Sequence, residues 1–195
     1  MSPALRCPCP AIILHMKRRH STIQVPASTN FLTTTVVTFE PIFRYESLAN
    51  ILLSNLRFYS ESFTVKIHAF VIMPNHLHLL TTGEEQVSQF MGRLKQYSAR
   101  QITNWCQENN KDDLLNLFSC AATKYKTRHK YQVWQSRFDN YVVTRQEDLM
   151  TKLNYIHNNP LQERWKLCDR IEDYRFSSAR YYLNGEDVGV PIVRP

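Results

Sequence analysis

Two apolar, strand-like segments joined by a tight turn place the strongest constraint on how this chain can fold. Phe63–Met73 is followed, after only Pro74 and Asn75, by a second such segment, His76–Thr82. A connection this short returns a strand antiparallel to its predecessor. The residues predicted to share one face of the first strand are Val65, Ile67, Ala69 and Val71. The chain is therefore expected to build an antiparallel sheet around this hairpin.

Segments on both sides of the hairpin extend it into an α+β pattern. Phe31–Phe39 is rich in Thr and Val and predicts a strand. Tyr45–Tyr59 and Glu84–Cys106 carry apolar residues at helical spacing and predict two amphipathic helices. The predicted stripe of the second helix comprises Val87, Phe90, Met91, Leu94, Tyr97 and Ile102. Val133-Trp134 is predicted as a short edge strand.

A third helix is predicted near the end of the chain. Thr144 and Glu147 have the spacing of a capping box, in which each side chain bonds a free backbone N–H of the first turn. Asn159-Pro160 is expected to end the helix, because proline disfavours helical geometry in the residue before it. The residues predicted to share its apolar face are Leu149, Leu153 and Ile156. The order β-α-β-β-α-(β)-α indicates an antiparallel sheet with helices against one face.

The length of 195 residues suits one domain. We expect a loosely ordered N-terminal arm over 1–29, a single domain over 30–183 and a C-terminal tail over 184–195. No apolar run approaches the roughly 18 residues of a membrane span, and the five cysteines are scattered, so no membrane association and a cytoplasmic location are expected. Only 4 glycines and no Gly-rich motif argue against a nucleotide-binding loop.

The chain is basic, with 24 Lys and Arg against 17 Asp and Glu, a net charge of +7. A basic balance favours a polyanionic partner, because each phosphate contact gains from counterion release. The same charge also serves solubility, so it does not by itself identify a partner.

His76-Leu77-His78 is the sharpest local feature of the sequence. Side chains two apart on a strand point to the same face, so both imidazoles can converge on one divalent ion while Leu77 and Leu79 face the core. The hydrolase motif His-x-His-x-Asp is not met, because Leu80 occupies the Asp position. Histidines also occur on strands without ligating a metal, and the triplet alone leaves that reading open.

Tyr155 and Asn159 form the second feature, on the third predicted helix. They are four residues apart and lie on one side of the helix, about 100° from the apolar stripe, so Tyr155 is expected at the rim of the sheet. Its phenol is a candidate nucleophile, and the Asn159 amide oxygen is a candidate third metal ligand. The alternative is a tyrosine, one of ten, that only packs its ring and hydrates its hydroxyl.

Together these features resemble the REP-associated tyrosine transposases, a group of the single-tyrosine HUH transposases, in which HUH denotes His-hydrophobe-His. The resemblance covers roughly residues 20–183. The stretches that carry it are Phe70-Val-Ile-Met-Pro-Asn-His-Leu-His-Leu-Leu80, Val133-Trp-Gln-Ser-Arg-Phe138, Tyr155-Ile-His-Asn-Asn-Pro160 and Asp173-Tyr-Arg-Phe-Ser-Ser178. The segment 104–131 is longer than is usual in this family, and Tyr174 and Phe176 stand where the family often has Trp.

The resemblance implies a ferredoxin-like βαββαβ-type HUH domain with a C-terminal tyrosine-bearing helix. It implies that His76, His78 and Asn159 hold a Mg²⁺ or Mn²⁺ ion and that Tyr155 attacks the DNA. Such proteins cut single-stranded DNA beside small hairpins, leave a 5′-phosphotyrosine and a free 3′-OH, and then rejoin strands in DNA transposition. Related single-tyrosine proteins include monomers and homodimers, so either state is expected.

A basic segment interleaved with tyrosines, near residue 127, is a candidate surface for the single strand. Cations can follow phosphates while rings stack on bases, although a solvated loop has the same composition. The residues predicted to contact DNA are Lys124, Lys126, Arg128, Lys130, Arg137 and Arg100. His157 projects from a different helix face than Tyr155 and is interpreted as structural or DNA-facing, and His68 is a weaker candidate for the sheet surface.

Three functions remain in competition. The first is a metal-assisted DNA-strand transferase or endonuclease that uses Tyr155. The second is a domesticated, sequence-specific single-stranded DNA-binding protein without cleavage. The third is a metal-dependent phosphodiesterase in which activated water replaces the tyrosine. The presence of Tyr155 and Asn159 beside the histidines favours the first.

Overall fold

The computed structural model describes residues 29–83, 87–125 and 127–195. The expected arm, apart from Thr29, and Lys126 lie outside the described residues. The strands are β1 (Thr29–Thr35), β2 (Lys66–Met73), β3 (His76–Thr82) and β4 (Asp139–Val143). The helices are α1 (Glu46–Ser62), α2 (Val87–Glu108), α3 (Asp112–Lys124), α4 (Gln146–Asn158) and α5 (Ala179–Asn184). None of the helices described is long and apolar enough to cross a membrane.

The four strands form one antiparallel sheet in the order β2-β3-β1-β4. This is the order of the split βαβ, ferredoxin-like arrangement and confirms the predicted fold class. The β2–β3 hairpin forms as predicted. β1 pairs with β3 so that Thr33 lies opposite His78, and β4 pairs with the other side of β1.

Helices cover both faces of the sheet. The helices α1, α2 and α3 pack together over one face, on buried side chains such as Leu32, Leu77 and Leu79, and we call them the helical layer. α4 packs on the opposite face through the predicted stripe of Leu149, Leu153 and Ile156. The prediction that the helices lie against one face is therefore wrong for α4, because the other face of the sheet is also apolar and the stripe of α4 covers it. We call the face covered by α4 the site face.

A bulge at His68 corrects the predicted faces of the first hairpin strand. The register between β2 and β3 shifts between Ile67 and Ala69. Ile67 therefore faces the helical layer, whereas Ala69 and Val71 face α4. The prediction that these residues share one face is wrong, because an extra residue in one strand reverses the alternation beyond it.

Two further strand predictions need correction. β1 ends at Thr35 instead of Phe39, because the next N–H groups, of Val36 and Val37, bond to the carbonyls of Asn75 and Val133 and turn the chain into a short 3-10 turn. Trp134 makes only an isolated bridge to Val36. The fourth strand of the sheet is β4, which no strong apolar alternation marks in the sequence.

The helices differ from their predictions at three points. The segment 107–130 contains a complete helix, α3, that was not predicted. Tyr97, placed in the apolar stripe of α2, is 41% exposed. The Thr144 capping box does not form: α4 begins at Gln146, so the N-cap is Arg145 instead of Thr144, and a guanidinium has no acceptor for the free N–H groups of the first turn.

The C-terminal segment completes the outer edge of β2. The N–H of Ile72 donates to the Phe176 carbonyl, and the N–H of Ser178 donates to the Phe70 carbonyl. Further on, the N–H of Val193 donates to the Ile67 carbonyl. Residues 184–195, expected as a tail, therefore pack against the domain, and two of their valines, Val188 and Val190, are buried in its core.

Ser178 ties α4 to the sheet, and its removal should destabilise the fold. Its buried hydroxyl accepts the Phe70 N–H at 3.0 Å and shares a 2.9 Å hydrogen bond with His157 Nε2. Ser178→Ala leaves both groups unsatisfied, so we expect the free energy of unfolding in urea to fall by about 1–3 kcal/mol. Ser62→Ala, which removes an exposed hydroxyl bonded to the Phe58 carbonyl, is the matched control and should change little. Equal stability of Ser178→Ala and the wild type would contradict this role.

Candidate active site around a histidine pair

His76 and His78 lie side by side on β3, on the site face of the sheet. Their Nε2 atoms are 3.1 Å apart and both side chains are buried. Leu77, between them, is fully buried on the other face, as predicted. The alternation of the strand thus brings two imidazole nitrogens to one point, and we call these two residues the histidine pair.

The outward nitrogen of each imidazole has a defined partner. Asn75 donates its side-chain N–H to the Phe39 carbonyl at 2.9 Å, so its Oδ1 accepts the Nδ1–H of His76 at 2.7 Å. The Nε2 of His76 therefore carries a lone pair. His78 Nδ1 lies 2.7 Å from the hydroxyl of Thr33, which can accept or donate.

The direction of this hydrogen bond from Thr33 decides which nitrogen of His78 carries the proton, so two tautomers of His78 are possible. When Thr33 donates to Nδ1 of His78, the Nε2–H of His78 can donate to Nε2 of His76. When Thr33 accepts, both Nε2 atoms present lone pairs at the same point. Outer partners of this kind fix the tautomer of metal-ligating histidines.

Burial keeps both imidazoles neutral. It lowers the pKa of His76 to about 4, with a further contribution from the nearby positive charge of Arg164. Burial also lowers the pKa of His78 well below its ordinary value, and His76, Arg164 and Lys152 lower it further. Neutral imidazole is the form that binds a metal ion.

The donor set fits a hard divalent ion. Neighbouring ligands on an octahedral ion at about 2.1 Å stand about 3 Å apart, close to the 3.1 Å between the two Nε2 atoms. Asn159 is fully buried at the end of α4, and neither its Oδ1 nor its Nδ2 has a hydrogen-bond partner. A buried amide without partners is costly, and coordination by Oδ1 would satisfy one of its two atoms. The described ranges contain no cluster of three or more His, Cys, Asp or Glu that could hold a metal.

Tyr155 lies beside the histidine pair of the same chain. Its ring centroid is 5.3 Å from that of His78 and 5.9 Å from that of Phe31, both edge-on. The side chain is 39% exposed, which agrees with the predicted position at the rim of the sheet. The nucleophile candidate is thus open to a ligand and adjacent to His78, one of the three metal-ligand candidates.

The other buried histidines have structural contacts. His157 bonds the Ser178 hydroxyl, and burial lowers its pKa to about 4. His68 bonds the Val193 carbonyl at 2.7 Å and the Thr82 hydroxyl at 2.7 Å, so it fastens the C-terminal segment to β2. Neither histidine contributes a ring to the pair.

Two of the predicted DNA contacts belong to the helical layer. Arg100 is exposed on α2, and Lys124 is exposed at the end of α3. These helices pack on the opposite face of the sheet from the histidine pair. Lys126 lies outside the described residues, and the fold does not bring Arg100 or Lys124 into the site.

The remaining predicted DNA contacts lie in loops. Arg128 and Lys130 are exposed after α3, and the Nζ of Lys130 is 5.0 Å from the centroid of the Tyr131 ring. Arg137 is exposed just before β4. All of these DNA contacts stay predictions.

Several residues near the pair were not predicted. Asn75 directly precedes His76 in the turn, and this position in the sequence could have identified it as a hydrogen-bond partner of that imidazole. Thr33 needs the β1–β3 register to be known before its contact can be inferred. The other neighbours of the pair, Phe31, Lys152, Arg164 and Trp165, come from three separate segments and carry no local motif.

Comparison with known proteins gives consistent results. The family model described as "Transposase IS200 like" matches residues 35–159, which include the histidine pair, Tyr155 and Asn159. A Haemophilus influenzae protein whose name places it among the REP-associated tyrosine transposases is 27% identical over 132 residues, 65% of this chain and 65% of that protein. The REP-associated tyrosine transposase of Escherichia coli is 24% identical over 113 residues, 58% of this chain and 53% of that protein. The matches thus span between half and two thirds of the length of these relatives.

A solved structure shows the same fold. It is a REP-associated tyrosine transposase bound to a REP hairpin, with a TM-score of 0.60 and 16% sequence identity. The match covers 93% of this chain and 94% of that chain. The architecture described above is therefore shared along nearly the whole chain.

Thr33 should control metal affinity through His78. Thr33→Val keeps the shape of the side chain but removes the bond to Nδ1, so we expect Mn²⁺ binding to weaken by about 10–100-fold. Thr33→Ser retains the hydroxyl and should bind as the wild type does. Isothermal titration with Mn²⁺ measures both, and equal affinity in Thr33→Val and the wild type would refute the assignment.

Acid should destabilise the fold through its buried imidazoles. Below pH about 6.5 the unfolded chain protonates its histidines, whereas folded His76 and His157 resist protonation down to about pH 4. Each therefore lowers the free energy of unfolding by up to about 3 kcal/mol as pH falls through that window. Urea unfolding at a series of pH values should show a shallower decline for His157→Gln than for the wild type. His129→Gln, at an exposed imidazole, is the control. Parallel pH profiles for His157→Gln and the wild type would exclude this contribution.

Proposed function

The chain belongs to the IS200-like transposase family, and from that membership we propose that it cuts and rejoins single-stranded DNA near hairpins through Tyr155. The observation that carries this proposal is the placement of Tyr155, 5.3 Å ring to ring from a pair of imidazoles whose Nε2 atoms converge. The hairpin named for the structural relative supports hairpin DNA as the substrate.

The proposed residues for the metal are His76, His78 and Asn159, with Mg²⁺ or Mn²⁺ as the ion. When bound, such an ion would polarise a phosphate oxygen and stabilise the negative charge that develops on it. Asn75 fixes His76 in the tautomer that this binding needs, and Thr33 allows the same tautomer in His78 when its hydroxyl accepts the Nδ1–H. The fully buried Asn159 supplies an amide without other partners.

Tyr155 performs the covalent step in this proposal. Its phenolic oxygen bonds to phosphorus as the bond from phosphorus to the 3′ oxygen breaks, and the phenolic proton passes to water at the exposed rim. The departing 3′ oxygen takes up a proton and becomes a free 3′-OH. The 5′-phosphotyrosine conserves the energy of the phosphodiester, so the same steps in reverse rejoin a strand without a nucleotide cofactor.

The competing functions differ at Tyr155. A phosphodiesterase that uses water would have no need of a tyrosine beside the histidines. A protein that only binds DNA would have no need of an exposed phenol beside two converging Nε2 atoms. The observed set favours the strand transferase.

Tyr155→Phe should abolish the covalent protein–DNA adduct, lowering its yield by at least about 1,000-fold, because the attacking oxygen is lost while the ring is kept. The assay mixes protein, Mn²⁺ and a pool of labelled hairpin-bearing single strands and resolves adducts on a denaturing gel. Tyr97→Phe, at an exposed tyrosine in the helical layer, should form adducts as the wild type does. An adduct that survives Tyr155→Phe would exclude this nucleophile, and cutting that persists without any adduct would favour the water mechanism.

A further inference from the structure

Each imidazole of the histidine pair packs against an aromatic ring that also has a cation close to it. Phe31 stacks on His78 with centroids 5.3 Å apart, and the Nζ of Lys152 lies 4.8 Å from the Phe31 centroid. Trp165 lies 5.9 Å from His76, and the guanidinium carbon of Arg164 lies 5.5 Å from the Trp165 centroid. Two cation–ring units therefore flank the pair, one on each imidazole.

The Lys152 unit extends to an open aromatic surface. The Nζ of Lys152 is also 5.0 Å from the ring of Tyr141, which pairs with Phe31 across β1 and β4. Tyr141 is 43% exposed on the edge strand. Lys152 is thus positioned by two rings, one of which has a free face, and it lies three residues before Tyr155 on the same helix.

Both cations lack a salt-bridge partner among the described residues, although Lys152 interacts through space with the Asp148 carboxylate. Within the residues the structure describes, neither Lys152 nor Arg164 forms an ion pair. Asp148, one turn before Lys152, is bonded by Arg145. Each charge lies one aromatic ring away from an imidazole of the pair.

The Arg164 unit also contains a buried donor without an acceptor. The indole Nε1 of Trp165 is buried and has no hydrogen-bond partner. Leaving such a group unsatisfied is costly, so the position favours a ligand that accepts hydrogen bonds. An oxygen acceptor that also carries negative charge would satisfy the indole and Arg164 together.

Unpaired positive charges are an unusual surrounding for a site that must bind a cation. Two of them beside the histidine pair oppose the binding of a divalent ion unless an anion binds at the same time. A phosphodiester strand supplies both negative charge and acceptor oxygens. Its binding and the binding of the ion would then strengthen each other by the same factor.

We propose that Lys152 and Arg164 are phosphate-positioning residues that hold a single strand on the two sides of the histidine pair. Trp165 donates to a phosphate oxygen beside Arg164, and Tyr141 offers its free face to a base beside Lys152. The choice of substrate rests on the proposed function, but the binding contacts do not require that the strand be cut.

The test measures binding of an oligothymidylate of about ten nucleotides to the full chain, without metal, over a range of salt concentrations. Each phosphate contact on a single strand contributes about 0.7 to the slope of log affinity against log salt. Lys152→Gln and Arg164→Gln should each lower that slope by about 0.7, and the double variant by about twice as much. The charge-conserving variants Lys152→Arg and Arg164→Lys should restore it.

Two other cations that lie close to an aromatic ring, but away from the histidine pair, serve as matched controls. Lys111 lies 4.9 Å from the ring of Tyr45 in the helical layer, and Arg194 lies 5.6 Å from the ring of Tyr182 near the outer edge of β2. Lys111→Gln and Arg194→Gln should leave the slope unchanged. In the absence of DNA, Lys152→Gln and Arg164→Gln should bind Mn²⁺ more tightly, on the order of threefold, because a repelling charge is gone.

The outcomes separate this inference from the proposed function. Slopes that do not change in Lys152→Gln and Arg164→Gln would overturn the inference, even if Tyr155 forms adducts normally. Reduced slopes together with tighter Mn²⁺ binding would support it, even if the wild type forms no adduct. Reduced slopes in the two control variants as well would show a general charge effect and would also overturn it.

Discussion

The packing of α4 against the strand that carries the histidine pair is the interaction on which the site depends. Leu149, Leu153 and Ile156 bury one side of this helix on the sheet. That contact turns the adjacent side, with Tyr155, toward the rim where His78 lies. The two halves of the site are far apart in the chain, and the apolar stripe of α4, together with the bond from His157 to Ser178, fixes their distance. A loss of packing there would separate the phenol from the imidazoles without altering either.

The features that the sequence could predict are those that depend on the local periodicity of apolar and polar residues. The β2–β3 hairpin follows from two apolar segments and a two-residue turn, and the common face of His76 and His78 follows from strand alternation. The position of Tyr155 at the rim follows from its angle to the apolar stripe. In each case a short segment contains all the information that is needed.

The features that sequence missed depend on tertiary contacts. β4 is an edge strand with little buried surface, so its residues show no strong alternation. The bulge at His68 arises where that imidazole bonds two distant groups, a carbonyl near the C-terminus and a hydroxyl on β3. The capping box failed because α4 begins one residue later than predicted, with Arg145 as the N-cap, and a guanidinium has no acceptor for the free N–H groups. The cations around the histidine pair become neighbours only when β1, α4 and the segment after it are assembled.

The two borders of the sheet differ in a way that limits how copies of this protein can associate. Residues 176–178 and Val193 occupy the outer backbone groups of β2, whereas among the described residues β4 pairs only on its β1 side. An open border is a template for another strand. Because the described residues of each molecule leave one such border, two copies joined there would use both, and strand-to-strand association would stop at a closed pair instead of continuing into a fibre.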